Sequence, residues 1–523
     1  MSRVPASSPV AATRFDRRQW ACVAAVTALA AALRLVGLGE WSFWVDEGHT
    51  WRDATMPLTG EGGFLSTDRV RYGVPFLMLR LLLGVGITGY DEASVRLPFA
   101  IIGVVTVPLM AVCGRRLVGA WPAVVAAALL AINPWHVFWS QNARGYGLAL
   151  LMCVVAIHRA YRWRETRGAL DLLLLIAAMG LAAASHPTAM MLVVALVGFE
   201  VVRWGVARTS SLSTRSVVSV AFAVVLAVVL LPLMIRELDA AGWLPFSGFM
   251  RAKASPSLRH FMETTLFYFR PATLLAAVLG MLVAPRVLGR DRALYLICMA
   301  VVPLLVLSGV SATLVKVTAR YGLCALPVLT WLVAALIVYV ATRLRGRSMS
   351  LALLLPGLLA ADAVRMDVDY YTAQYGQRAR WREAADFVKR EAQRRGCEGV
   401  YAVTVNEPAM EYYLRPKHWF LMDHDPHPGY RVRVLLGLTI DGGTTTQGEE
   451  LHEPGAEAHL AWLRGQCGEG ALMPVMVTLP ELREQDPSGE FEALLRRDFE
   501  LALHLPCWVG PKDESVYVYL PKR

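Results

Sequence analysis

Trp20–Leu38 reads WACVAAVTALAAALRLVGL and follows Arg14, Arg17 and Arg18. A helix that crosses a bilayer needs about 20 predominantly apolar residues, so this run is of spanning length. A basic flank before an apolar stretch also describes a secretory leader. No convincing A-x-A cleavage site follows, and the segment is read as an uncleaved first span. Comparable blocks recur up to about Val364, near 94–114, 118–134, 146–162, 168–185, 188–204, 216–235, 271–288, 293–314, 320–342 and 348–365. With the first, that predicts about eleven spans.

Composition agrees with this reading. Of 523 residues, 55% are hydrophobic and 18% charged, and the mean hydropathy is +0.43. Soluble domains carry about 25% charged residues. Beyond about Asp367 the composition turns into that of a soluble domain. The expected organisation is a short cytoplasmic tail over 1–18, a helical membrane domain over 19–366, and a small extracytoplasmic α/β domain over 378–523. The net charge of +10 is no nucleic-acid signal, because much of the arginine sits in short loops between apolar blocks, where it sets orientation.

Val74–Thr88 is left out of the spans. It is short, holds Arg80, and contains Gly84 and Gly86. Without it, the clusters Arg14/Arg17/Arg18, Arg115/Arg116, Arg162/Arg164/Arg167, Arg203/Arg208/Arg215, Arg286/Arg290/Arg292 and Arg343/Arg345/Arg347 all fall on one side. The positive-inside rule makes that side cytoplasmic. Val74–Thr88 is then a juxtamembrane helix in the outer interface. The loop 39–93, the segment 133–146, the loop 236–270 and the stretch 316–320 face outward, as does the C-terminal domain. The expected location is the plasma (inner) membrane, multi-pass, with a cytoplasmic N-terminus.

The candidate chemistry lies on that outer side. Trp41-Ser42-Phe43-Trp44-Val45-Asp46-Glu47 places two adjacent carboxylates among aromatic residues just past a span. A carboxylate there suits a general base that deprotonates an acceptor hydroxyl or amine; the plainer reading is a solvated acid capping a helix. Arg144, Arg320, Lys316 and Arg270 are outer-side cations, against the positive-inside trend. They could neutralise a lipid phosphate, Arg as a bidentate fork and Lys as a point charge, or simply meet anionic headgroups. Trp44, Tyr72, Tyr146 and Tyr321 would line a substrate cavity. Asp423-His424-Asp425-Pro426-His427-Pro428 looks like metal-ligand material but reads more readily as a polar loop. Two carboxylates alone do not select a metal, and a divalent cation stays an open question. No G-x-x-x-x-G-K-[ST] or G-x-G-x-x-G nucleotide motif occurs.

The order of motifs resembles the GT-C glycosyltransferases related to protein O-mannosyltransferases and lipid A aminoarabinose transferases. Trp44-Val45-Asp46-Glu47 is similar to that family's acidic motif. Val95-Arg96-Leu97-Pro98-Phe99-Ala100 with Gly114-Arg115-Arg116-Leu117 is similar to its second span. Ser140-Gln141-Asn142-Ala143-Arg144-Gly145-Tyr146 and Ala319-Arg320-Tyr321 resemble two further stretches, and Trp381-Arg382-Glu383-Ala384-Ala385 the start of its outer domain. Asn142 departs from the family's usual Glu, and Tyr72-Gly73-Val74-Pro75-Phe76 from its His-Pro-Pro-Leu-Tyr. The resemblance implies a membrane transferase that moves a sugar from a polyprenyl-phosphate donor to a lipid, glycan or protein acceptor with inversion. It implies Asp46 as base and Glu47 as a partner orienting the acceptor or an ion, with Arg144 and Arg320 at the donor. The rival classes are a lipid or solute transporter, which should show repeats and intramembrane charges, and a non-catalytic envelope assembly factor.

The outer domain is predicted as alternating elements: helices over Trp381–Arg394, Pro408–Leu414 and Gly489–Leu503, and strands over Gly399–Val405, Tyr430–Ile440, Met473–Leu479 and Ser515–Leu520. Of the eight cysteines, Cys397, Cys467 and Cys507 lie in this domain, where one disulfide or free thiols both fit.

Overall fold

The computed structural model describes residues 14–522 apart from 61–62, 208–255, 345–348, 398, 405–406, 415–430, 437–471, 479–489 and 510–511. Two compact units emerge, each built from separated stretches of chain. One comprises Met1–Val36, Phe99–Gln141 and Gly145–Asp367. The other comprises Gly37–Pro98, Asn142–Arg144 and Val368–Arg523.

The first unit is helical. Its elements are α1 (Arg17–Leu35), the greater part of α4 (Glu92–Val118), α5 (Ala120–Ala131), α6 (Pro134–Ser140), α7 (Tyr146–Thr166), α8 (Ala169–Ser185) and α9 (Met191–Ala207). Then come α10 (Leu258–Phe269), α11 (Pro271–Val287), α12 (Arg290–Thr313), α13 (Leu326–Leu344) and most of α14 (Met349–Thr372). Helices thus stand at the predicted spans; the predicted span 216–235 lies outside the described residues. Among the described residues, four helical stretches are long and apolar enough to cross a membrane, and six are if each bent pair counts as one. The count of eleven is not reproduced by that criterion. One reason is visible in the chain: α5 is 12 residues long and α8 and α11 are 17 each, short of the about 20 that a crossing takes, and α5 meets α6 at 63° and α10 meets α11 at 86°. The protein is a multi-pass membrane protein.

One buried cation of this unit is met by main-chain carbonyls. Arg34, wholly buried, donates to the carbonyls of Leu130 (3.2 Å) and Ala131 (2.8 Å). It thereby satisfies the open C-terminal end of α5, whose last carbonyls lack intrahelical partners. The same guanidinium lies 2.6 Å from His136 Nδ1 on α6. Close packing is enforced at Gly114, where a Cβ would run into the Trp331 indole; that indole donates to Met110 O at 3.2 Å. The last turns of α4 and α7, the end of α9 and the first turn of α12 are cross-linked: Arg116 to Glu165 at 2.7 Å, Arg164 to Glu200 at 3.4 Å and to Asp291 at 3.1 Å. These helix ends therefore lie at one end of the unit.

The second unit begins with α2 (Val45–Thr55) and α3 (Val74–Gly84), the latter within the stretch read as a juxtamembrane helix. Its C-terminal part holds α15 (Trp381–Arg394), α16 (Glu407–Leu414), α17 (Glu490–Asp498) and a five-stranded sheet. Strands β1 (Gly399–Thr404), β2 (Arg431–Leu436), β3 (Leu472–Thr478), β4 (Phe499–Leu505) and β7 (Val516–Pro521) take the order β2-β1-β3-β7-β4. β1 is parallel to β2 and β3; β7 is antiparallel to β3 and β4. A short ladder, β5 (Trp508–Val509) with β6 (Lys512–Asp513), was not foreseen. One prediction needs correction: the helix expected over Gly489–Leu503 stops at Asp498, and Phe499–Leu505 is a strand. Its Leu and Ala favour a helix locally, but pairing with β7 from Phe499↔Pro521 to Leu505↔Val516 overrides that weak preference. Trp381, Ala384, Ala385 and Val388 of α15 are buried with Val475, Val477, Val516 and Val518 of the sheet. Cys397 and Cys507 are free thiols; Cys467 lies outside the described residues.

Candidate active site

The second unit gathers Asp46 and Glu47 with Trp44, Tyr72 and Arg144. Asp46 and Glu47 stand in the first turn of α2, where carboxylates meet the positive end of the helix dipole. Consecutive helical residues point about 100° apart, and the two acids go to different environments. Glu47 has a wholly buried side chain. Arg96 grips it as a fork, Nε to Oε1 at 2.8 Å and Nη2 to Oε2 at 2.7 Å, and Ala143 N donates to Oε1 at 2.9 Å. Arg378 Nε lies 3.4 Å from Oε2. Burial alone would raise the Glu47 carboxyl; the Arg96 and Arg378 charges outweigh it and hold it below the ordinary range. Glu47 is therefore placed as a structural hub, not as an accessible group beside Asp46.

Asp46 keeps 27% of its side chain exposed, with Arg144 Nε 3.9 Å from Oδ2. Arg144 Nη1 is tethered to Asp46 O and Thr50 Oγ1, both at 3.3 Å. Trp44 Nε1 donates to Asn142 Oδ1 at 2.5 Å. The departure at Asn142 thus supplies the acceptor that binds the segment 142–144 to the first loop.

Sequence reasoning missed further members of this cluster. His49 and Asp53 follow Asp46 on α2 at steps of three and four, the period that places side chains on one helix face; that spacing was the available signal. Arg69 Nη1 donates to Asp53 Oδ1 at 2.6 Å, and Arg52 Nη2 lies 2.9 Å from His49 Nδ1. Arg69 comes from a short 3-10 turn (Asp68–Tyr72) and had no signal. Burial, then Arg52 and Arg69, push His49 well below its ordinary range, so it is neutral at pH 7. Burial raises Asp53 against the pull of Arg69 and Arg52, and burial raises Tyr72. Around Asp46 the unit thus presents Arg52, Arg69 and Arg144 against Asp46 and Asp53.

The remaining candidates lie in the first unit. Tyr146 stacks between Trp139 and His186, ring centroids 3.9 Å from each, and Tyr321 follows His186 at 6.5 Å. Arg320 stands over the Tyr321 ring at 5.4 Å. Lys316 is part-buried on the same segment. Arg270 spends one edge of its guanidinium on Asp362, Nη2 to Oδ1 at 2.7 Å and Nε to Oδ2 at 3.0 Å. Among the described residues no three His, Cys, Asp or Glu side chains group as a metal site. The Asp-His-Asp-Pro-His-Pro stretch lies outside them.

Residues 74–235 match the family described as dolichyl-phosphate-mannose-protein mannosyltransferase. No curated protein matches the chain. Among solved structures, the chain is similar to ArnT from Cupriavidus metallidurans in the apo state, at 15% identity and TM-score 0.56, covering 96% of this chain and 98% of that one. ArnT bound to undecaprenyl phosphate matches with TM-score 0.54 at the same identity and coverage. The archaeal oligosaccharyltransferase AglB from Archaeoglobus fulgidus, in complex with an inhibitory peptide and a dolichol-phosphate, matches at 13% identity and TM-score 0.51, covering 96% and 74%. The resemblance to GT-C glycosyltransferases, drawn above from motifs, extends to the fold.

Proposed function

We propose, for a chain with the fold of the GT-C glycosyltransferases, that it transfers a sugar from a polyprenyl-phosphate donor to an extracytoplasmic lipid, glycan or protein acceptor, with inversion. The observation that carries the reading is the division of labour between two adjacent acids: Glu47 locked in a buried ion pair, Asp46 part-exposed beside Arg144. Environments that separate two carboxylates assign them separate roles. Asp46 takes the proton of the acceptor O–H or N–H while that atom bonds the anomeric carbon. The bond from that carbon to the phosphate oxygen breaks, and polyprenyl phosphate leaves. Arg144 is proposed to neutralise it, with Arg52 and Arg69 of the same unit as further cations; Arg320 and Lys316 of the helical unit are proposed as donor-binding cations, and Arg270 would serve so only on exchanging Asp362 for phosphate. Fixed cations placed where negative charge develops lower the barrier of such a step more than any other single device. Trp44, Tyr72, Tyr146 and Tyr321 are proposed as cavity residues.

The gathered basic ends support a cytoplasmic placement of that end of the helical unit, and the acid-bearing loop is proposed to be extracytoplasmic. The plasma membrane is the proposed location. The test supplies membranes with a panel of radiolabelled polyprenyl-phosphate sugars and follows label from carrier to acceptor. Transfer by the wild type, reduced about 100-fold to 10,000-fold in a folded Asp46→Asn variant, is expected of a lost general base. Equal transfer by both would remove Asp46 from this role.

A further inference from the structure

Resting on the transferase reading, we propose that Arg378 is a positioning residue for Asp46, making the start of the C-terminal region a working part of the catalytic loop. Arg378 is 1% exposed. Its Nη1 donates to Gly376 O at 2.8 Å and to Tyr370 Oη at 2.9 Å. Its guanidinium lies 5.6 Å from the Trp41 ring, and its Nε lies 3.4 Å from Glu47 Oε2. Glu47 precedes Gly48 and follows Asp46 in the same turn, so whatever fixes Glu47 fixes the N-terminal turn of α2.

The backbone leading to Arg378 is strained in its favour. Tyr375, Gly376 and Gln377 have φ of 49°, 60° and 52° in succession. Left-handed geometry at non-glycine residues costs free energy and persists only where the surroundings over-determine it. Here they do. Gln377 N donates to Gln374 O at 2.8 Å, and Gln377 Nε2 to Gln374 Oε1 at 2.7 Å. A Cβ at Gly376 would stand 2.5 Å from the Trp41 ring and 2.8 Å from Arg378 Nη1, so only glycine lets the turn pass this close. The turn delivers Arg378 into the buried core around Glu47.

The residues after it continue the same connection. Cys507 Sγ donates to Arg378 O at 3.0 Å. Arg382 reaches Glu92 at 2.5 Å and the carbonyls of Gly39 and Glu40 at 3.1 Å. Ser42 Oγ accepts from Arg382 N at 3.0 Å. Tyr413 Oη donates to Glu92 Oε1 at 2.7 Å and accepts from Phe43 N at 2.7 Å. The loop carrying Asp46 is thus held by α15 and α16, and Arg378, just before α15, lies 3.4 Å from Glu47 Oε2. Removing Arg378 leaves Glu47 its Arg96 fork, so the perturbation loosens the turn without stripping the buried acid.

The test uses the full-length protein in detergent or nanodiscs. In Arg378→Gln, turnover should fall about 10-fold to 100-fold, the scale of a small misplacement of a catalytic group, while KM for the donor stays within about twofold. Arg378→Lys should recover only part of the turnover, because one ammonium cannot meet Glu47, Tyr370 and Gly376 together. Hydrogen exchange over residues 44–55 should accelerate in Arg378→Gln, with exchange over 326–344 unchanged. Wild-type turnover and exchange in folded Arg378→Gln would overturn the proposal. So would acceleration spread equally over both segments. Should the wild type transfer no sugar from any donor, the transferase reading fails, and the exchange comparison alone decides whether Arg378 orders the Asp46 turn.

Discussion

Glu47→Gln keeps the shape of the side chain and removes its charge. The carboxylate it replaces accepts two guanidinium bonds from Arg96 at 2.8 and 2.7 Å and one from Ala143 N at 2.9 Å, with both ion-pair partners wholly buried. The amide offers one oxygen to these donors and turns an NH2 toward a cation. Two unit charges about 4 Å apart interact by about 4 kcal/mol at an effective dielectric near 20. Breaking a buried pair from one side costs about 3–5 kcal/mol by mutation, so the two routes agree. Spent locally, even about 3 kcal/mol raises the open population of α2 by about 100-fold. Hydrogen exchange over 44–55 should then be about 100-fold faster in Glu47→Gln. Adding Arg96→Met in that background should cost about 3 kcal/mol less than adding it to the wild type, because the partner charge is already gone. An acceleration below about fivefold, or losses that simply add, would refute the assignment of Glu47 as the hub.

Other outcomes follow from the same geometry. His49 is depressed in the folded state by burial and by Arg52 and Arg69; its contribution is complete above the unfolded value near 6.5 and lost as pH falls below it, at up to about 1.4 kcal/mol per pH unit. Thermal unfolding of the wild type should therefore fall faster between pH 7 and pH 5 than that of His49→Gln. Arg144→Gln should raise donor KM more than it lowers turnover, with kcat/KM down about 10-fold to 100-fold, as for a lost hydrogen bond to a charged group. Gly114→Ala drives a methyl group into Trp331 and should cost about 1–3 kcal/mol of overpacking, read as a lower melting temperature in detergent. Gly180, with open space around its Cβ position, should tolerate Ala or gain about 0.5–1 kcal/mol.

The membrane class was legible because apolar runs of spanning length are a one-dimensional property. The helices at 92–118, 146–166 and 290–313 needed no knowledge of their neighbours. Local patterning also placed α15 and most strands of the C-terminal sheet, and the acid pair and Arg144 were visible as polar residues in an aromatic, interfacial setting. Residue type and period could not tell Asp46 from Glu47, since both are acids in one turn. Only the arrival of Arg96, Ala143 and Arg378 from distant parts of the chain buried one and left the other part-exposed. The strand Phe499–Leu505 was misread for the same reason: its conformation is set by β7, not by its own sequence. The sequence by itself determined a polytopic membrane chain with a C-terminal region of alternating helices and strands and an acidic first loop. The tertiary structure alone decided that this loop, residues 142–144 and the C-terminal region fold as one unit, because burial and charge pairing are settled between segments that no local pattern connects.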